Sequence, residues 1–421
     1  MNRARLKKRC VAVSLVLISA ALGGCGALGG SSAGSSDERG ACASPGVTDD
    51  TIRIGLIYPD SGSGESGFRA TLSAVEARIE AANAEGGVHG REVVIDWRDD
   101  QDSPDVFSLA ARDLLDDSDG QGVFALVAQT LVLSSDTFEW LEQAKIPVVG
   151  VATSEEWSDH ANVFHFGNSF NKSHPTTTYG RFVKAQHATK VFLLVTEQAG
   201  AADSLAMQLT PSLQSQGIQV VGRLGIVQDI TSDTKVVDTI RRSGADAVIG
   251  ALQIDTFQQI YPLLAPLRLK LALNATGYSA DLLASAGRGL AGATFIVPYS
   301  AFGSAAMATY LRNVDTYAPE LTNPEDVLAV AGYVAADEML TGLTLAGECP
   351  TREQFIQKLR EVEDFTAGGL IPPKDLSNPR DPAKCLNFVQ VNEAGNQWQP
   401  IGDPTSPSGF WCGEIIQTGA G

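Results

Sequence analysis

The chain has 421 residues, 49 acidic against 31 basic, for a formal net charge of −18, with 44% hydrophobic residues. So acidic a body repels nucleic acid and anionic lipid surfaces, which sets nucleic acid aside as a partner. The length exceeds one ordinary hydrophobic core and calls for two domains.

Residues 1–25 join a basic head (Arg3, Arg5, Lys7, Lys8, Arg9) to an apolar run too short to span a membrane, followed by small residues. Leu22-Gly23-Gly24-Cys25 resembles the lipobox of bacterial lipoproteins, in which the cysteine becomes the lipidated first residue. Cys25 is therefore the expected lipidation site, and the protein is expected outside the cytoplasm, anchored to the cell membrane. Without the five basic residues of this leader, 26 basic residues face 49 acidic ones. Residues 26–47, rich in Gly, Ser and Ala, read as a flexible tether. Gly30 to Gly34 matches GxSxG as a string, but no strand precedes it and no helix follows, so it is no nucleophile elbow.

The stretch from Thr51 to Gly87 sets the pattern. Ile52, Ile54 and Ile57 mark a buried strand, and Leu72, Val75, Ile79 and Ala82 recur at helical spacing. Gly86-Gly87 stops that helix, because glycine takes the left-handed backbone of a helix end. Between them Gly62 to Gly67 matches GxGxxG, yet Tyr58-Pro59-Asp60-Ser61 separate it from the strand, unlike a dinucleotide fingerprint. The loop reads instead as one whose N–H and hydroxyl groups hold a small solute.

Strand and helix then alternate. Strands are expected at Glu92–Trp97, Val123–Val127 and Ile146–Val151, and helices at Asp105–Leu115 and from Ser135 to Ala144. After Phe164 to Phe170 a second series follows. Its helices are 175–185, 202–216, 234–242, 256–264 and 280–286; its strands are 190–195, 220–222, 245–249, 270–273 and 293–297. Repeated β-then-α units predict parallel sheets with helices on both faces. The last third changes character, with helices 305–314, 324–345 and 351–362, a proline-rich stretch 370–382, and a hairpin of 387–391 with 397–401. The simplest arrangement has the chain cross between two similar α/β domains three times, near 167–170, 297–300 and 370–383.

Cys10 lies in the leader, leaving Cys42, Cys349, Cys385 and Cys412 beyond Cys25. An even set in an exported chain predicts two disulfides, with three pairings open. A zinc site would need a CxxC pair, and none is present, so no metal or cofactor is expected. The histidines (His89, His160, His165, His174, His187) are scattered, and no Ser/His/Asp or HExxH constellation suggests an enzyme.

The opening IRIGLIYPDSG, the AKIPVVGVAT segment, the GADAVI strand and the AVAGYVAADEML helix are similar to the type I periplasmic solute-binding proteins of the Leu/Ile/Val-binding class, over roughly residues 48–400. The resemblance implies two doubly wound parallel-sheet lobes joined by a three-strand hinge, with 48–168 plus 299–375 as the first and 169–298 plus 376–414 as the second. It implies a monomer that captures a small organic solute between the lobes and hands it to the permease subunits of an ABC importer. A sensing module of the same fold, signalling to a membrane receptor, is the alternative.

Carried over residue by residue, the resemblance places Ser61, Gly62 and Phe68 at the first loop and Gln129, Thr130 and Leu131 at the second. Val151, Ala152 and Thr153 fall at the third, with Phe170, Ala199, Asp255, Thr276 and Tyr278 completing the set. Leu131 stands where a serine would meet a ligand carboxylate, and Thr276 where an acidic residue would pair with an α-ammonium. Both departures imply a solute less polar than a branched-chain amino acid, unless Asp255 or Glu197 supplies the missing charge. The lobe assignment favours the pairs Cys42–Cys349 and Cys385–Cys412, since bonds within a lobe leave closure free.

Overall fold

The computed structural model describes residues 42 and 44–417, apart from 63, 119, 167–174, 197–199, 228–230 and 302. Cys25, Phe170, Ala199 and Glu197 lie outside the described residues.

The first sheet holds β1 (Thr51–Tyr58), β2 (Glu92–Asp99), β3 (Leu126–Ala128), β4 (Val148–Val151) and β5 (Val163–Phe166), all parallel, in the order 2-1-3-4-5. The second begins with β6 (Lys190–Thr196), β7 (Gln219–Ile226), β8 (Ala247–Ala251), β9 (Leu271–Asn274) and β10 (Thr294–Val297), parallel in the order 7-6-8-9-10. β11 (Cys385–Val391) adds antiparallel to β10, and β12 (Trp398–Pro400) and β13 (Trp411–Cys412) pair antiparallel with β11. The expected two-lobe α/β architecture is thus present.

The helices of the last third return to the first sheet. Helix Val327–Leu345 packs on helix Thr71–Ala84 and on β4. It is apolar and long enough to cross a membrane, but Val334, Ala335, Ala336, Met339 and Leu343 are fully buried, so it serves as a core helix. Gly332 permits the close approach, since a Cβ there would sit 3.3 Å from the Thr71 carbonyl. Asp326 caps the helix by accepting from the N–H groups of Leu328 and Ala329. Helix Arg352–Leu359 follows a capping box of Thr351 and Gln354.

The chain passes between the sheets three times: after β5, after β10, and from Leu370 into β11. The second and third passages run side by side. The Ser300 N–H donates to the Leu370 carbonyl (2.7 Å), its hydroxyl to that of Gly369 (2.6 Å), and Asn387 Nδ2 to that of Tyr299 (2.9 Å).

Several boundaries differ from the sequence reading. Val163–Phe166, just before the expected first passage, is a strand that the sequence reading did not assign, because four consecutive buried residues show no alternation. The short strand at 220–222 extends to Gln219–Ile226, and Trp411–Cys412 forms an unforeseen strand. The helix expected to run to Leu264 ends at Ile260 and continues as a 3₁₀ turn, Tyr261–Leu267. Pro262 and Pro266 lack the N–H groups that an α-helix needs. Cys42 is bonded to Cys349 and Cys385 to Cys412, each pair within one sheet and its flanking helices, as favoured above.

Candidate functional site

Parallel strands bring their carboxyl ends to one edge of a sheet. In each sheet one pair of neighbours sends its connections in opposite directions, β1 with β3 and β6 with β8. Such switch points leave a crevice outside the strand ends where open α/β sheets receive ligands. Most of the described residues expected at the site follow strand ends, at the switch points and at the neighbouring strands β4 and β9. Ser61 and Gly62 follow β1, Gln129, Thr130 and Leu131 follow β3, and Ala152 and Thr153 follow β4, which ends at Val151. In the second sheet Asp255 follows β8, and Thr276 and Tyr278 follow β9.

Two carboxylates at the end of β2 hold the first-sheet loops. Asp99 Oδ1 accepts from the N–H groups of Asp60 (3.0 Å), Ser61 (3.2 Å) and Gln101 (2.8 Å), and Oδ2 accepts from the Ser61 hydroxyl (2.5 Å). Burial works against the charge on Asp99, but these hydrogen bonds outweigh it and hold the carboxyl below its usual range. Asp100, fully buried, accepts from the Thr130 hydroxyl through Oδ2 and from the Asp102 N–H through Oδ1 (2.8 Å). Thr130 Oγ1 in turn accepts from the Val132 N–H at 3.2 Å. Burial raises the Asp100 carboxyl despite the Thr130 bond. Gly62 has φ +87°, and a Cβ there would lie 2.6 Å from the Gln101 carbonyl, so the loop requires glycine.

The candidate side chains differ in accessibility. Leu131 is 57% exposed, the only large apolar side chain so open among the described strand-end loops. Asp255, Thr276 and Gly62 are exposed, while Ser61, Val151 and Thr153 are half-buried. Phe68, Gln129, Thr130, Ala152 and Tyr278 are buried. Phe68 joins the core beside helix Val327–Leu345, in contrast to the aromatic expected over a ligand. Tyr278 stacks obliquely on Tyr299 and Trp398. Thr276 donates its hydroxyl to the Leu252 carbonyl (3.0 Å), and Gln129 Oε1, though buried, has no hydrogen-bond partner.

Sequence reasoning missed Asp99 and Asp100. The available signal was two consecutive acids at the end of a predicted strand, beside a loop that needed anchoring. Replacing Asp100 with Ala is expected to cost about 1–3 kcal/mol, since the buried Thr130 hydroxyl loses its acceptor. Hydrogen exchange should quicken at Thr130 to Val132; unchanged exchange there would contradict the assignment.

A cavity of about 660 Å³ lies elsewhere, between helix Ala280–Ala286, the 394–396 turn, Trp398 and Glu325. It includes none of the candidate residues. Glu338 is a buried ionisable group on helix Val327–Leu345 that feels the charges of Arg360 and Lys374, and the same two cations act on buried His165. Arg360 spends its donors on the carbonyls of Ala161, His160, Val163 and Leu376 and lies 4.0 Å over the Phe164 ring. Burial, reinforced by Lys374 and Arg360, pushes His165 down to about 3, so it is neutral at physiological pH, with Nε2 3.1 Å from the Ser158 hydroxyl.

Residues 51–396 match the family described as periplasmic binding protein. Among solved structures, a Rhodospirillum rubrum protein described as a branched-chain amino acid ABC transporter shares 18% identity and a TM-score of 0.70, covering 83% of this chain and 100% of its own. An R. palustris solute binding protein in complex with benzoate shares 16% identity and a TM-score of 0.61, covering 87% and 97%. The branched-chain amino acid transporter substrate binding protein of Streptococcus pneumoniae, in complex with isoleucine, shares 15% identity and a TM-score of 0.60, covering 87% and 99%. At these identities the likeness is one of fold. No curated protein sequence matches the chain. With the family pattern running through both sheets and the loops that border their switch points, the chain belongs to the periplasmic binding protein family.

Proposed function

We propose that this protein is an extracytoplasmic solute-binding lipoprotein, lipidated at Cys25 and monomeric. It captures a small organic solute, amino-acid-like or less polar, between two lobes and delivers it to the permeases of an ABC importer. The observation that carries this reading is the pairing of two switch points, β1/β3 and β6/β8, on one chain that passes three times between its sheets. Two such edges can close on a solute from both sides, while the passages bend. The solute favours the closed form through the contacts it gains there. The range of solutes in the similar structures, isoleucine and benzoate, fits a fold whose loops set specificity.

Thermal-shift screening of the full chain in detergent against amino acids, amides, aromatic acids and polyamines tests the reading. One class is expected to raise the melting temperature with concentration, as mass action requires. A melting temperature indifferent to every solute, or turnover of a bound one, would contradict it. Metabolic labelling with a radioactive fatty acid is expected to mark the wild type and to leave Cys25→Ser unlabelled; equal labelling of both would refute the anchor.

A further inference from the structure

Two of the three passages meet where they enter the second sheet, and the carboxyl end of the chain lies across both. Residues 175–178 close the first passage at the start of helix Thr178–Ala185, and Lys384-Cys385 close the third at the start of β11. Over the first, Thr176 and Ile415 form an antiparallel bridge. The Thr177 N–H donates to the Glu414 carbonyl (2.9 Å), and the Ile416 N–H to that of Pro175 (2.8 Å). The Glu414 N–H donates to Thr177 Oγ1 at 2.9 Å. Over the third, the Gly413 N–H donates to the Lys384 carbonyl (2.9 Å), and Cys412 is bonded to Cys385. The Thr178 hydroxyl joins the two passages directly by donating to the same Lys384 carbonyl. Gly413 sits at the centre, where a Cβ would lie 2.4 Å from the Thr178 nitrogen and 2.8 Å from Thr177 Oγ1. The third passage is itself bound to the second through Ser300 with Leu370 and Asn387 with Tyr299.

Given two lobes that close on a solute, we infer that residues 412–416 are a brace that makes the three passages enter the second lobe as one unit, and that this brace limits how far the lobes swing apart before solute arrives. A hinge consists of the few residues whose φ and ψ absorb the motion. Passages fixed to one another at one end bend together, whereas separate ones bend each in its own direction. Freeing the first passage spreads the solute-free protein over more lobe separations. Closure then gives up more conformational entropy, although the brace itself contributes no contact to the solute.

Pulsed dipolar spectroscopy on the full chain in nanodiscs, without solute and spin-labelled at the exposed positions Leu109→Cys and Met207→Cys, tests this. Gly413→Val drives a side chain into the Thr178 backbone, and the milder Thr177→Val removes only the oxygen that accepts from the Glu414 N–H. Thr189→Val is the control, deleting a hydroxyl that donates to Asp246 (2.9 Å) beyond the far end of the same helix. Both brace variants are expected to widen the lobe-to-lobe distance distribution and extend it to longer separations, while the control matches the wild type. A wild-type distribution in both would overturn the inference, as would equal widening in the control; if Gly413→Val does not fold, Thr177→Val decides alone. The solute-binding reading fails separately. Melting-temperature shifts with a solute beside unchanged variant distributions end the brace alone, and widened variants beside indifference to every solute end that reading alone.

Discussion

Glu338→Gln is expected to stabilise the protein increasingly as pH rises from 5 to 9. Glu338 is fully buried on helix Val327–Leu345, and neither carboxyl oxygen has a hydrogen-bond partner. Burial pushes its carboxyl up to about 8, against the opposing pull of Arg360 and Lys374. The folded state therefore holds this proton more tightly than the unfolded chain, where a glutamate titrates near its ordinary value. Below that value both states are protonated and the group adds no pH-dependent cost. Between there and about pH 8 the unfolded chain gives up the proton first, so stability falls with rising pH, by on the order of a few kcal/mol in total. A glutamine cannot ionise and removes this slope. Chemical denaturation at pH 5 and pH 9 should find the variant close to wild type at the lower pH and more stable at the higher; parallel profiles would contradict the account.

Removing the Cys42–Cys349 bond is expected to produce the second large effect. The bond spans 307 residues and ties the segment before β1 to the end of the longest core helix. Cross-links that close long loops restrict the unfolded chain most, and a native disulfide typically contributes about 2–5 kcal/mol. Other contacts hold the same segment: the Ser44 hydroxyl donates to the Pro350 carbonyl (2.5 Å), and Arg91 Nε to that of Thr48 (2.7 Å). The double variant Cys42→Ser/Cys349→Ser should thus fold and denature at markedly lower guanidinium concentration, with solute affinity unchanged because the bond lies within one lobe. A loss below about 0.5 kcal/mol, within the range of ordinary surface substitutions, would contradict this.

The architecture was largely legible because its signals are periodic. Leu72, Val75, Ile79 and Ala82 mark a helix that the structure draws at Thr71–Ala84, and Gly86-Gly87 mark its end with φ of +106° and +67°. The strand at Val163–Phe166 was not legible, since a run buried on both faces lacks alternation. The resemblance put Leu131 and Thr276 at strand-end loops, and they do follow β3 and β9. Which partner each hydroxyl chooses is a tertiary matter, so Ser61 and Thr130 looked like ligand donors until Asp99 and Asp100 claimed them. Glu338 was hidden for a similar reason. Asp337 and Glu338 are adjacent acids in one string, but successive helical residues point about 100° apart. Asp337 meets Arg78 at 2.7 Å near the surface, whereas Glu338 turns into the core.

In the proposed mechanism two lobes close on a solute. Spin labels at Leu109→Cys and Met207→Cys, exposed positions near the first and second sheets, report the distance between lobes in the full chain held in nanodiscs. Pulsed dipolar spectroscopy with the solute that most raises the melting temperature is predicted to show the distance shorten and its distribution narrow. An identical distribution with and without bound solute would contradict the account.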